Sequence, residues 1–136
     1  MSTPDAVERL LLARGCPPHI VAAGLAGLVD VWSEIVVAIE GGYALTLDDY
    51  QNDMDLRDLI AAAMDVASPE ARAAVEERLT SADSRCLAQT TPTGCLWGDD
   101  IAAEEGLDAS REWWYYRRPT RPGDALADDL VAWGLT

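Results

Sequence analysis

The sequence predicts an all-α fold: a helical bundle of about five helices, with a long central helix and an extended aromatic segment near the C-terminus packed across it. Apolar residues recur at helical spacing along most of the chain, and proline, glycine and capping residues separate the periodic stretches. The one run with strand character is Trp113–Pro119, which is aromatic and precedes a proline. The chain has 136 residues, 49% of them hydrophobic, which fits a single helical domain over residues 1–136.

The first two helices are marked by their ends. Ser2 or Thr3 can cap the first helix, with Pro4 in its first position, and Gly15 ends it. The second helix should run from about Pro18 to Glu40 and end at a glycine pair. Its apolar stripe consists of Val21, Leu25, Leu28, Trp32, Ile35 and Ile39. Further valines make this helix apolar nearly all round, which places it in the middle of the bundle.

The stretch from Thr46 to Ala67 shows a change of apolar face. Thr46 and Asp49 form a capping-box pattern at its start. The first apolar residues, Leu47, Tyr50 and Met54, share one helical face. The next ones, Leu56, Leu59, Ile60 and Ala63, lie on nearly the opposite face. We therefore expect a break or kink near residues 52–55, with a second helix continuing to about Val66.

Four more elements follow. Ser68 caps a helix that continues to about Gln89. Its core stripe is Val75, Leu79, Ala82 and Cys86. Thr90–Gly94 is a turn-rich loop, and Asp99–Glu105 can form a short helix that Gly106 ends. The last helix should span about Asp124–Trp133, with Leu126, Leu130 and Trp133 facing inward.

The chain is strongly acidic, with a net charge of −14. Direct binding to nucleic acid or to an anionic membrane is therefore not expected. Acidic residues near the start oppose a signal peptide, and Asp30 and Glu34 interrupt the most apolar stretch, which disfavours a membrane span. The odd number of cysteines, Cys16, Cys86 and Cys95, fits free and mostly buried thiols. We expect a cytoplasmic protein.

An acidic cluster stands out around the predicted kink. It consists of Asp48, Asp49, Asp53, Asp55 and Asp58. These carboxylates can stabilise helix N-termini, form an acidic face for a partner, or hold a metal. The spacing resembles the aspartate-rich magnesium motif of isoprenoid synthases, but the chain is too short for their two facing acidic helices around a large cavity. An EF-hand also fails, because Asp58 replaces its glycine and Met64 its glutamate. No metal is predicted.

Groups that could do catalysis are scarce. His19 is the only histidine, and Cys16 lies near it without a third group to orient the pair. No glycine-rich phosphate loop, HExxH or GxSxG motif occurs. We predict no enzyme activity, no catalytic residue and no cofactor.

The aromatic run is the strongest candidate for a contact surface. Its members are Trp113, Trp114, Tyr115, Tyr116 and Arg117. In a strand these side chains alternate, so one pair would cover the core and the other would need a partner. The alternative is that the arginines around it pair with the acidic helices and stack on the aromatics. Asp30, Glu34 and Asp83 are the acids expected to be buried, with Arg57 or a C-terminal arginine as partner.

Two segments carry a resemblance. The first includes Gly42-Tyr43, Leu47–Asp53 and Arg57–Leu59, and the second is Trp113–Pro119. Together they make the chain similar to a loose group of small bacterial proteins of unassigned function. This resemblance implies a small helical bacterial domain and transfers no catalytic residue.

Three functions remain open from the sequence. The first is a small binding protein that neutralises or regulates a basic protein partner, such as an immunity protein or inhibitor of a nuclease-like toxin, with the acidic cluster and aromatic run as partner-binding residues. The second is a structural or homo-oligomeric subunit, for example a homodimer formed through exposed aromatics. The third is a metal-dependent enzyme that uses the cluster from Asp48 to Asp58.

Overall fold

The computed structural model describes residues 5–136 and confirms an all-α helical bundle. The helices are α1 (Ala6–Ala13), α2 (Pro18–Glu40), α3 (Leu47–Val66), α4 (Pro69–Ala88), α5 (Asp99–Glu105) and α6 (Asp124–Ala132). Two short strands, β1 (Thr90–Pro92) and β2 (Arg117–Pro119), accompany them, and a 3-10 turn spans Trp113–Tyr116. In α1, Asp5 is the N-cap and accepts a hydrogen bond from the Glu8 amide. The cap expected at Ser2 or Thr3 and the first-position Pro4 lie outside the described residues.

Helix α2 has the predicted bounds and contacts α1, α3 and α4. It bends at Gly24, whose φ of 64° and ψ of −156° lie outside the helical region. Burial all round is not found, because Val31 and Val37 are exposed on the outer face. Among residues 5–136, α2 alone is long and apolar enough to cross a membrane, a criterion that the core helix of a globular protein also meets.

Helix α3 is continuous, so the predicted break near residues 52–55 is wrong. Two polar side chains complete its buried stripe. Gln51 and Arg57 are buried between the apolar positions, at 5% and 8% exposure. Gln51 donates to the Leu96 carbonyl oxygen at 2.8 Å, so its burial is compensated. The sequence prediction counted apolar residues alone and omitted these two polar ones. The single buried face of α3 therefore appeared as two separate apolar faces. The predicted capping box of Thr46 and Asp49 is confirmed.

Helix α4 begins at its Ser68 cap, and its four predicted core residues are all buried. The loop expected at Thr90–Gly94 contains β1, which pairs antiparallel with β2 from Thr90 opposite Pro119 to Pro92 opposite Arg117. The extended conformation predicted for Trp113–Pro119 holds only for Arg117–Pro119. Residues 113–116 instead form the 3-10 turn, in which the neighbours Trp114 and Tyr115 are both buried.

Helix α6 buries Leu126 and Leu130 as predicted, but Trp133 is 63% exposed, which corrects its inward placement. The helix ends at Ala132, and the chain reverses so that the Leu135 amide donates to the Leu130 carbonyl oxygen. Leu135 is 7% exposed and covers the core where Trp133 was expected. At the other end, a Cβ at Gly123 would lie 2.7 Å from the Tyr43 carbonyl oxygen, so only glycine permits this approach.

A buried ion pair joins three helices and the 3-10 turn. Arg57 on α3 donates from Nε and Nη2 to the two carboxylate oxygens of Asp83 on α4, at 3.0 and 2.9 Å. Trp32 on α2 donates to the same carboxylate at 2.9 Å. The Arg57 guanidinium also lies 4.7 Å from the Trp114 ring centroid. This confirms the expected pairing of Asp83 with Arg57.

Asp83 itself is partly buried, and the other two acids expected to be buried are on the surface. Asp30 and Glu34 are exposed on α2. Asp30 pairs with Arg78, which is itself exposed. Both acids lie on the outer face of α2 and remain in contact with solvent.

Removing the Asp83 carboxylate should destabilise the fold strongly. In Asp83→Asn the Arg57 guanidinium stays buried without its counter-ion, so we expect the free energy of unfolding to fall by about 3 kcal/mol. Asp30→Asn, which breaks an exposed pair, should lower it by about 0.5 kcal/mol. Urea denaturation followed by circular dichroism measures both values. Equal losses in the two variants would contradict a central role for the buried pair.

Candidate binding groove

An open groove of about 830 Å³ lies between α3 and the segment that leads from α5 to the 3-10 turn. We call it the acidic groove. Its carboxylates are Asp55, Asp58, Asp65, Glu105 and Glu112. Arg111 is the only basic residue among those that line it, so its formal charge is −4.

Aromatic and aliphatic side chains form the rest of the lining. Trp97, Trp114 and Tyr115 contribute rings, and Ile101 and Leu107 contribute apolar surface. Trp114 and Tyr115 are each 4% exposed, so most of each side chain is buried in the core. An apolar lining with a few converging charged groups is typical of a binding site.

Helical spacing brings the three aspartates of α3 together. Positions 55, 58 and 65 lie on one helical face, since three and seven residues correspond to about one and two turns. Ala61 and Ala62, which also line the groove, have small side chains and leave the space open.

Hydrogen bonds hold the opposite side of the groove against α3. The Tyr115 hydroxyl donates to Asp55 Oδ1 at 2.5 Å. The Leu96 amide donates to the Tyr115 carbonyl oxygen at 2.8 Å, and Gln51 binds the Leu96 carbonyl from α3. These hydrogen bonds lie beside the groove and fix the separation of its two sides there.

Burial changes the ionisation of Asp58. Removal from water, together with the nearby Glu112 and Asp55 carboxylates, raises the pKa of Asp58, while Arg14 and Trp114 act in the opposite direction. Burial and the bond to Asp55 raise the pKa of Tyr115, which keeps its hydroxyl protonated as a donor. Asp58 is thus a carboxylate whose charge is incompletely compensated within the fold.

Trp114 lies at the junction of the groove and the buried ion pair. Its ring stacks against Arg57, and its Nε1 is buried without a hydrogen-bond partner of regular geometry. A buried donor without an acceptor typically costs about 1–3 kcal/mol. The indole and the Asp58 carboxylate therefore meet at a point where both groups are incompletely satisfied.

No protein-family model matches the chain, and no curated protein or solved structure is significantly similar to it. The resemblance to small bacterial proteins stays a prediction.

The structure separates the predicted acidic cluster. Asp48 and Asp49 lie in the first turn of α3, where the Asp49 carboxylate accepts hydrogen bonds from the N-cap residue Thr46. Asp53 accepts a hydrogen bond from the Tyr43 hydroxyl at 2.5 Å. Burial raises the pKa of Asp53 despite that bond. Of the five predicted aspartates, only Asp55 and Asp58 line the groove.

The residues of the predicted aromatic run also lie in different places. Trp114 and Tyr115 line the groove, while Trp113 packs edge-on against Trp114 with ring centroids 5.6 Å apart. The Tyr116 hydroxyl donates to the Leu107 carbonyl oxygen, and Arg117 binds Thr90 on β1. Among the described residues, no ion pair joins the C-terminal arginines to the aspartates of α3. The cation–π contact comes instead from Arg57 on the helix.

Nine of the thirteen residues that line the groove were not among the predicted site residues. Asp65 shares the face of Asp55 and Asp58, so its spacing could have revealed it. Trp97, Glu105 and Glu112 belong to loops and a short helix whose packing has no periodic signal. Within residues 5–136, no group of three or more histidine, cysteine, aspartate or glutamate side chains could hold a metal ion. The geometry suits an organic cation, which carboxylates and aromatic rings both attract.

Neutralising Asp58 should stabilise the protein at neutral pH. Its raised folded-state pKa means that the folded chain holds the proton more tightly than the unfolded chain. The stability contributed by that proton is present at low pH and is lost as the pH rises through the raised pKa. At pH 7, Asp58→Asn should therefore unfold with a free energy higher by less than about 1 kcal/mol.

Thermal unfolding from about pH 3 to about pH 7 measures this difference, which should disappear at the acidic end. Glu76→Gln on the exposed face of α4 is the control, since it removes one negative charge without altering the groove. A gain of the same size in both variants would indicate general charge repulsion.

Proposed function

We propose that this protein binds a basic protein partner through the acidic groove. The observation that carries the proposal is a groove of about 830 Å³ lined by five carboxylates, one arginine and three aromatic rings. The arrangement concentrates negative charge around apolar surface, so it offers a basic side chain both charge and contact area.

The charge of the whole chain assists the encounter. A net charge of −14 attracts a basic partner at long range, and complementary potentials raise association rates. After docking, charge-assisted hydrogen bonds to the carboxylates and contact with Trp97 would slow dissociation. Negative charge therefore speeds association with the partner, and the contacts in the acidic groove slow its dissociation.

An inhibitor of a nuclease-like toxin is the concrete form of this function. A nuclease binds the phosphates of its substrate with basic side chains, and these same side chains can bind carboxylates. The aspartates at positions 55, 58 and 65 present such carboxylates along one helix face. An immunity protein with this face would occupy the basic substrate site and exclude nucleic acid.

Removing charge from the groove should weaken the partner complex selectively. We expect Asp58→Asn/Asp65→Asn/Glu105→Gln to bind basic nuclease domains at least about tenfold more weakly than the wild type. The change removes three groove carboxylates and leaves Asp55, which holds Tyr115. Titration calorimetry against a panel of such domains, at low and at physiological salt, measures the loss. Binding of the wild type should also weaken as salt rises.

The matched control is Glu70→Gln/Glu76→Gln/Glu77→Gln on α4, which removes three exposed acids that do not line the groove. It changes the net charge equally and should reduce affinity by less than about twofold. Equal weakening in both variants would contradict a specific role of the groove. No binding across the panel would contradict the toxin-inhibitor function.

Self-association is the second candidate function, and the exposed Trp133 favours it. Trp133 and Val131 are 63% and 68% exposed at the end of α6, where a second copy could cover them. Trp114, by contrast, is buried in the chain itself. Sedimentation velocity tests this function: a dimer that Trp133→Ala dissociates supports it, and a monomer across micromolar concentrations contradicts it.

A metal-dependent enzyme remains the third candidate from the sequence. Its proposed ligands have separate contacts, since Asp49 accepts from Thr46, Asp53 accepts from Tyr43 and Asp55 accepts from Tyr115. A rise in melting temperature on adding calcium or magnesium would support this function.

A further inference from the structure

We propose that the group that enters the acidic groove is an arginine side chain of the basic partner, and that this chain's own Arg111 is the cation it displaces. The inference rests on the proposed function and specifies its chemistry. It is argued from the lining of the groove, from the way the protein holds its own Arg57, and from the weak contacts of Arg111.

The lining suits a planar cation better than a compact one. Asp58 on α3 and Glu112 before the 3-10 turn both line the groove, and the Glu112 charge raises the pKa of Asp58. The rings of Trp97 and Trp114 lie beside them. A guanidinium can bind a carboxylate through two parallel hydrogen bonds and can stack on a ring at the same time, whereas an ammonium offers only a point charge.

The protein already uses this chemistry once. Arg57 is bound by both oxygens of Asp83, and its guanidinium lies 4.7 Å from the centroid of the Trp114 ring. The acidic groove presents the same combination of side chains, with Asp58 and Glu112 as carboxylates and Trp97 as an additional indole. An incoming arginine would repeat, at the surface, the contacts that Arg57 makes in the core.

Trp114 supplies an independent sign that the groove is incomplete. It is 4% exposed, it lines the groove, and its Nε1 has no hydrogen-bond partner of regular geometry. A guanidinium in the groove favours the ionised form of the neighbouring Asp58. The Trp114 N–H interacts with the same carboxylate, so an arginine bound to Asp58 would also lie beside the indole.

Arg111 occupies the edge of the groove and is held weakly. Its Nε lies 3.8 Å from Glu112 Oε2, and its Nη2 donates to the Gly106 carbonyl oxygen. The Arg111 side chain is 68% exposed, so this ion pair contributes little to stability. An incoming cation would compete with it for Glu112, and loss of Arg111 should therefore favour binding.

The experiment uses the full-length protein and two small probes, argininamide and lysinamide, which carry the same charge. Tryptophan fluorescence or calorimetry at constant ionic strength measures each dissociation constant. We expect argininamide to bind at least about fivefold more tightly than lysinamide. Arg111→Gln should strengthen argininamide binding about threefold or more, and Asp58→Asn should weaken it by at least as much. Glu77→Gln on α4 is the control and should leave both constants unchanged.

Three results would overturn the inference: equal affinity for the two probes, no saturable binding of argininamide up to about 50 mM, or weaker binding after Arg111→Gln. The titration with nuclease domains reports separately on the proposed function. If the groove variant loses a nuclease domain while the two probes bind equally, the acidic groove binds a basic partner without selecting arginine. If the nuclease domains and both probes fail to bind, the proposed function fails as well.

Discussion

The fold depends on the bidentate bond between Arg57 and Asp83. This single contact connects α3 to α4, and the Trp32 bond to the same carboxylate connects α2. The guanidinium then supports the ring of Trp114 from the core side. A buried ion pair is weak as a source of stability but strongly restricts geometry, because either partner alone would be an uncompensated charge.

That restriction determines where the acidic groove forms. The face of α3 that bears Arg57 points into the core, so the adjacent face with Asp55, Asp58 and Asp65 is directed toward the 3-10 turn. Asp58 is placed there although burial raises its pKa, which opposes folding at neutral pH. A carboxylate retained at a cost in stability is typical of a functional site. This feature distinguishes the groove from the fully exposed acids on α4.

The N-cap Asp5 of α1 was not predicted, but the bounds of α2 and the caps of α3 and α4 could be predicted from sequence, because proline, serine and the Thr46–Asp49 pair act locally. The continuity of α3 could not, since Gln51 and Arg57 look like surface residues until their partners Leu96 and Asp83 are in place. Trp133 was misplaced because helical periodicity cannot foresee a chain reversal that brings Leu135 inward. The groove itself was not predicted, although Asp55, Asp58, Trp114 and Tyr115 were among the predicted binding residues, because Trp97 and Glu112 reach it through tertiary contacts alone.

The pairing of β1 with β2 has an effect beyond its few hydrogen bonds. Thr90 pairs with Pro119 in the two-stranded sheet. The segment between these residues contains α5 and the 3-10 turn, so the strand pairing holds its two ends together. Closing a loop of this kind removes much of its freedom to rearrange, and the ties to α3 remove more. A ligand would therefore meet a surface that is already ordered, and little further conformational entropy would be lost on association.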